Sequence, residues 1–434
     1  MTIENPLDSD SVTEIDLRQM ILAIEEAVSL VGMNDTNHGK RVGFIACQLA
    51  TELDFTELQR QYLFDLGLLH DCGVSTQQMH ASLVNYFDWN DAHVHCEIGY
   101  NLLKNFKPLT RFATPILYHH TKWEDLHHLN IDKNDAIMAN LIFLADRIDV
   151  LAASHYGIDI LLAREDIANS IIGYGKTFFN PEFIFAFQQL KTSEAFWIAL
   201  EDRHIVRYTW DMGQMSLNSP LSTAQLKQLS LIMAYIVDQK SPFTAEHSAR
   251  VANLAKYLAK ESFLSPEQCD KIEISGLLHD LGKLRTPDHI LEKQGVLTKL
   301  ERSIMNQHSF ETYEIIRHVK GLEEIARWAA FHHEGLNGGG YPFHRNEKDL
   351  SIEARIIAVS DIFQALVQDR PYRLGMKLEQ IIKILDALVI DGRIDKQIVE
   401  LVKENREQCF IIASGSEIEI PNIDFYLKTS SDAD

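Results

Sequence analysis

The sequence predicts an all-α protein built from two tandem helical domains. Three observations carry that expectation: apolar residues recur at helical spacing through most of the chain, strand-like alternation is scarce, and the second half repeats the first. LLHDCG (68–73) aligns with LLHDLG (277–282), which places His70 on His279 at an offset of 209 residues, 279 less 70. The same 209 relates His38 in NHGKRVGFIACQLA to His247 in EHSARVANLAKYLA, and Thr56-x-x-Gln59 to Ser265-x-x-Gln268. Downstream the offset is 213 for His95 and His308 and for the pairs His119-His120 and His332-His333, then 215 for Asp146 and Asp361. Small loop insertions account for the drift. Because NPEFIFAFQQL (180–190) still matches IDKQIVELVKEN (394–405), each copy is a whole domain of roughly 190 residues, a normal domain size.

Along the chain, the first copy spans 1–200, and the Thr56/Gln59 pair reads as a capping box opening a helix. The segment 201–221, with HIVRYTW, Gly213 and Asn218-Ser219-Pro220, breaks the periodicity and is expected to be a connection carrying at most a short strand. The second copy spans 222–414 and is entered by a helix over 221–239. In it Val251, Leu254, Ala255, Leu258 and Ala259 form one apolar helical stripe ending near Phe263, after which Ser265-Pro266 starts the next helix with proline at its first position. A tail over 415–434 is mixed and polar at its end.

The composition is ordinary for a globular chain of 434 residues: 46% hydrophobic, 9% aromatic and 24% charged. No apolar run approaches the ~20 residues that span a bilayer, and MTIENPLDSDS lacks the order of a signal peptide, so the expectation is a cytoplasmic protein away from the membrane. Lys and Arg total 41 against 62 Asp and Glu, a net charge of −21 that disfavours DNA or RNA as a partner. Five widely spread cysteines without a C-x-x-C pair fit reduced thiols.

Nineteen histidines is a high count, and in the second copy they form a constellation: His247, His279-Asp280, His308, His332-His333 and Asp361. Adjacent residues on a helix point about 100° apart, so each pair can serve two ions, and an Asp between two cations bridges them through its two oxygens. Imidazole and carboxylate without thiolate suit iron or manganese, with zinc or nickel as alternatives. A single histidine on an apolar helix is usually a satisfied core residue. Seven such positions appearing twice in the same order are not. Lys283 lies one turn beyond Asp280, where its ammonium could meet a phosphate oxygen, although such a lysine alone would more often be a solvated one. Arg370 and Arg373 in DRPYR fit phosphate contacts or salt bridges equally well. Gly338, Gly339 and Gly340 followed by Tyr341-Pro342 must form a tight loop beside the His pair, with Tyr341 able to stack on a base.

HDLGK (279–283), HHEGLNGGGYP (332–342), SDIFQAL (360–366) and DRPYR (369–373) together resemble the HD-GYP family of HD-domain metal-dependent phosphohydrolases, over residues 222 to 410. The resemblance implies an all-helical HD-type fold in both copies, a centre of two or three metals, and hydrolysis of cyclic dinucleotides, chiefly cyclic di-GMP, with cyclic GMP-AMP as the alternative substrate. A non-catalytic nucleotide-sensing adaptor is the alternative of another class. Carried over by position, the ligands are His247, His279, Asp280, His308, His332, His333 and Asp361, with Lys283 on phosphate and Gly340, Tyr341 and Pro342 in the signature loop. Asn337 stands where Asp is common, and Ser241 and Phe243 stand where an acidic residue often precedes the first histidine, which favours two metals over three. Two cations sharing Asp280 would supply hydroxide near neutral pH without a side-chain nucleophile.

The first copy resembles the HD domain more distantly. It keeps a second set, His38, His70, Asp71, His95, His119, His120 and Asp146, yet Val74 replaces the lysine and HHTKWEDLHHLN (119–130) replaces the glycine loop. It either binds metal without turning over the same substrate, or is a degenerate copy kept for sensing, dimerisation or contact with a signalling partner. Cys72 and Cys96 adjoin His70 and His95, as buried structural thiols or, alternatively, redox sensors.

Overall fold

The computed structural model describes residues 12–32, 37–85, 87, 92–175, 177–214, 219–240, 246–368 and 374–415. The chain is all-α as expected, in two compact units, with one two-stranded antiparallel sheet among the described residues.

The chain opens with β1 (Val12–Asp16) and α1 (Leu17–Ser29). The N-terminal unit holds the described residues from 21 to 214 and is built on α2 (His38–Glu52), α3 (Glu57–Leu69), α4 (His93–Leu103), α5 (Thr110–Tyr118) and α6 (Lys133–Ala152). Thr56 and Gln59 form the capping box at the start of α3, with both reciprocal bonds present. Helices α2 and α3 pack backbone to backbone: a Cβ on Gly67 would lie 2.5 Å from the Cα of Gly43, so only glycine fits there. Residues 202–213, expected within the connection, form a helix, α7 (Asp202–Gly213), because Ile205, Thr209 and Met212 make a buried stripe at spacings of four and three.

The C-terminal unit holds the described residues from 219 to 415 and also residues 12–20. β2 (Pro220–Ser222) pairs antiparallel with β1, and Thr13 Oγ1 donates to the Leu221 carbonyl at 2.6 Å. Residues 12–20, expected with the first copy, therefore fold with the second. A backbone edge far along the chain satisfies their polar groups, and local periodicity cannot show that. The expected entering helix is α8 (Thr223–Asp238), capped by Ser222 and Gln225. It is followed by α9 (His247–Glu261), α10 (Pro266–Leu278), α11 (His308–Arg317), α12 (Glu323–Ala330), α13 (Ile352–Val367), α14 (Leu378–Ile390), α15 (Lys396–Glu404) and α16 (Arg406–Ser414). The stripe on α9 is buried, with Leu254 and Leu258 packed in one core with Ile272 of α10 and Ile356, Val359 and Phe363 of α13. That core holds the histidine-bearing ends of these helices together. The tail beyond 415 lies outside the described residues.

Candidate metal centre

In the C-terminal unit the seven expected ligand residues converge. His247 is the first residue of α9 and His308 the first of α11, His279-Asp280 and His332-His333 follow the ends of α10 and α12, and Asp361 projects from the middle of α13. Placement at C-terminal helix ends has a chemical consequence, because the last carbonyls of a helix have no intrahelical partner. His279 Nδ1 donates to the Gly276 carbonyl at 2.7 Å and His332 Nδ1 to that of Ala329 at 2.6 Å; ahead of α11, His308 Nδ1 donates to Met305 at 2.7 Å. Each bond fixes the tautomer and turns Nε2 into the site.

Asp280 is the hub. Its Oδ2 lies 3.5 Å from His247 Nε2 and 3.2 Å from His279 Nε2, and these nitrogens lie 3.4 and 3.9 Å from Asp361 Oδ1. Its Oδ1 lies 3.5 Å from His308 Nε2 and 3.8 Å from His332 Nε2, themselves 3.3 Å apart. His333 joins this second group, its ligand atom within 4.8 Å of those of His308 and His332. The donors thus fall into two clusters facing the two oxygens of one carboxylate.

The set fits divalent cations. Among the described residues, the buried atoms His279 Nε2 and Asp280 Oδ1 have no hydrogen-bond partner, a condition that costs ~1–3 kcal/mol per atom unless something else binds them. Burial would raise Asp280 and Asp361, but His279 and Lys283 for the first and His247 and His279 for the second hold both well below the usual carboxylate range. Burial pushes His308 down to about 4 and, with His308 as neighbour, His333 down to about 3, so both are neutral and ready to ligate. His247 is the exception: burial lowers it, yet hydrogen bonds to Asp280 and Asp361 raise it to about 9. Before a cation can bind its Nε2, that proton must leave. Metal affinity is therefore expected to climb ~tenfold per pH unit below about 9 and to level above it. Calorimetric titration of the apo chain with manganese in buffers of different ionisation enthalpy checks this, and a pH-independent affinity with no proton release contradicts it.

Gln364, which sequence reasoning missed, holds His247 from behind, its Oε1 2.5 Å from Nδ1. The signal was available: Gln364 is one turn after Asp361, and Asp149, three residues after Asp146, faces His38 Nδ1 at 2.7 Å in the first copy.

Lys283 Nζ lies 2.5 Å from Asp280 Oδ2, partly exposed at the mouth of the site. Arg370, Arg373, Ser241 and Phe243 lie outside the described residues. The glycine loop sits against the His pair: a Cβ on Gly340 would come 2.3 Å from the Glu334 Cα, which excludes any other residue. Glu334 accepts from the amides of Phe343 at 2.7 Å and Arg345 at 2.8 Å, clamping the loop, and the Tyr341 ring lies 4.8 Å from that of His333. Asn337 accepts from Gly339 N and donates through Nδ2 to the Asp391 carbonyl, both at 2.8 Å; an ionised Asp there could not make the second bond. Pro342 follows Tyr341 on this loop.

The first copy assembles the same frame. His70 and His119 Nδ1 donate to Gly67 and Ile116 carbonyls at 2.7 Å, and Asp71 again faces two groups, with Oδ2 3.5 Å from His70 Nε2 and Oδ1 3.3 Å from His95 Nε2. His38 Nε2 lies 3.3 Å and His120 Nε2 3.9 Å from Asp146. Three features differ. Val74 and Glu25 border the opening above His70, Arg147 grips Asp146 Oδ2 at 2.8 Å, and a short helix at Trp123–Leu126 replaces the glycine loop.

HD-domain family models match residues 232–398 and 36–151. The chain is 36% identical over 405 residues, 91% of this chain and 93% of the relative, to the 3'3'-cGAMP-specific phosphodiesterase 1 of Vibrio cholerae. The chain belongs to the HD-GYP family of HD-domain proteins. A cyclic di-GMP phosphodiesterase of Thermotoga maritima is 30% identical over 189 residues, 41% of this HD-GYP chain and 51% of that relative. A crystal structure of a cyclic GMP-AMP specific phosphodiesterase of V. cholerae matches with a TM-score of 0.62 at 22% identity, covering 93% of this chain and 97% of that one. That likeness shows that the fold is shared along nearly the full chain. No helix among the described residues is long and apolar enough to cross a membrane.

Proposed function

We propose that this HD-GYP protein is a phosphodiesterase of cyclic dinucleotides, with its active site in the C-terminal copy and with 3'3'-cGAMP as preferred substrate. The observation that carries the reaction class is Asp280, one buried carboxylate whose two oxygens face two separate clusters of imidazole nitrogens. Cyclic di-GMP came first in the expectation from sequence; the relative matched along both copies is named for cGAMP, which favours the alternative.

His247, His279, Asp280, His308, His332, His333 and Asp361 would hold two divalent ions, iron or manganese by donor type, which when bound would supply Lewis acidity toward water and phosphodiester. The residues of the chain do the rest. Fixed Nε2-forward tautomers, and Gln364 behind His247, hold the imidazole donors in orientation. Lys283, paired with Asp280 Oδ2 and partly exposed, supplies local positive charge, which a chain of net charge −21 needs to receive a dianionic substrate. Tyr341 covers His333 and, on a loop clamped by Glu334, offers an aromatic edge to a base.

The test is product analysis by liquid chromatography with the full chain, supplied with manganese, with iron or with no metal, on cyclic di-GMP and 3'3'-cGAMP. Linear product from both, with higher kcat/KM for cGAMP and only with metal, is expected. No turnover of either with either metal overturns the reading. Lys283→Ala is expected to keep its metal but to lose ~2–4 kcal/mol of transition-state stabilisation, the range for one charged donor at a developing oxyanion. Wild-type kcat in that variant, with unchanged metal content by elemental analysis, would reduce Lys283 to a partner of Asp280.

A further inference from the structure

The two copies differ at one position inside the donor cluster. In the C-terminal copy the residue after His308 is Ser309, whose hydroxyl oxygen lies 3.2 Å from His308 Nε2. In the N-terminal copy the corresponding residue is Cys96, fully buried, with Sγ 3.7 Å from His95 Nε2 and 3.5 Å from His119 Nδ1. The surrounding frame is the same: the His95 and His119 Nε2 atoms are 3.2 Å apart, against 3.3 Å for His308 and His332. Asp71 Oδ1 completes the group, 3.3 Å from His95 Nε2 and 4.0 Å from His119 Nε2. His95, Cys96 and His119 bring one donor atom each within 4.8 Å of one another.

This exchange changes the chemistry. A neutral alcohol is a poor ligand, whereas a thiol loses its proton to solvent on meeting a cation and binds it strongly as thiolate. Two imidazoles, one carboxylate and one thiolate make four donors, the full tetrahedral complement of zinc, and a filled tetrahedron has no position for water or substrate. The neighbouring half of the N-terminal site is weakened in parallel, because the Arg147 guanidinium holds Asp146 Oδ2 at 2.8 and 3.0 Å, where the C-terminal copy has Ile362 after Asp361. One half of the centre gains a donor as the other has its carboxylate neutralised.

We propose that the N-terminal copy holds a single thiophilic cation of the zinc class, closed by Asp71, His95, Cys96 and His119, as a structural ion. The proposal rests on the reading of the homologous C-terminal set as metal ligands. On binding, the Cys96 S–H bond breaks, an S–metal bond forms and the proton passes to solvent; nothing is oxidised or reduced.

The experiment is X-ray absorption at the zinc edge on the zinc-loaded full chain, with cobalt(II) substitution followed by its thiolate-to-metal charge-transfer band in the near ultraviolet. A sulfur shell at about 2.3 Å is expected in the unmodified chain. The cobalt band should be present in the chain carrying His279→Ala and Asp280→Ala, retained in Cys72→Ser, and lost in Cys96→Ser. Bound zinc with only nitrogen and oxygen neighbours overturns closure by Cys96 and leaves the C-terminal reading standing. A chain that takes up no divalent ion in either copy overturns both. Because the sulfur shell is read in the unmodified protein, failure of Cys96→Ser to fold does not remove the test.

Discussion

Asp280→Ala is expected to abolish turnover by several orders of magnitude while the helices persist, because one substitution removes an oxygen from each of the two donor clusters. His247 and His279 lose the carboxylate oxygen they face at 3.5 and 3.2 Å, and His308 and His332 lose the other at 3.5 and 3.8 Å. Among the described residues, Asp361, the other carboxylate of the set, lies within 4.0 Å of His247 and His279 but not of His308 or His332. The fold should survive: the Asp280 main-chain carbonyl still accepts from Lys283 N at 2.8 Å, and the core of the unit lies among Leu254, Ile272, Ile356 and Phe363. Elemental analysis should show fewer metal ions per chain than in the parent protein. Circular dichroism together with turnover checks the prediction, and a folded Asp280→Ala chain with near-normal rate would sink the bridging role.

The second large effect separates the two copies. Changing His70 and Asp71 together to Ala is expected to leave most of the phosphodiesterase activity, whereas the same pair of changes at His279 and Asp280 should eliminate it. The two centres share their histidine frame, but only the C-terminal one carries the lysine and glycine loop proposed to receive substrate. Val74 offers no charge where Lys283 sits, the Glu25 carboxylate beside that opening is already paired with Lys40 at 3.3 Å, and Trp123–Leu126 forms a helix where the other copy places Gly338 to Gly340. The Lys122 ammonium, the nearest cation in sequence, lies over the Phe178 ring at 4.5 Å. Turnover of both double variants, with circular dichroism to verify folding, is the measurement. A folded, inactive His70/Asp71 variant beside an active His279/Asp280 variant would assign catalysis to the wrong copy.

Much of this site is legible because its donors lie where one helix ends or begins, and such positions are marked in sequence by adjacent polar pairs after apolar runs. LLHD at 68–71 and 277–280 is the clearest case: the apolar residues are buried, the His that follows caps the helix end, and the Asp stands in the cleft. Gln364 and Asp149 were legible only in principle. Each is an ordinary polar residue on a helix until a histidine from another helix, 117 or 111 residues away in sequence, meets it. Helix α7 was missed because Gly213 and Pro220 punctuate its surroundings more strongly than Ile205, Thr209 and Met212 reveal its buried face.

The fold class, the duplication and the seven His and Asp positions repeated in each copy are properties of local pattern: helical periodicity, capping boxes and repeated His-Asp spacing act over a few residues and survive without knowledge of the chain path. The arrangement of those donors is not local. Which oxygen of Asp280 faces which imidazoles, the grip of Arg147 on Asp146, the approach of Cys96 to His95 and His119, and the pairing of Val12–Asp16 with Pro220–Ser222 all depend on distances between helices and strands far apart in sequence. Core packing sets those distances, since close-packed interiors admit few alternative placements of the helices that carry the side chains. The types of candidate donor could therefore be read along the chain, while their division into two clusters, one of them holding a thiol in the first copy, emerged only when the helices packed.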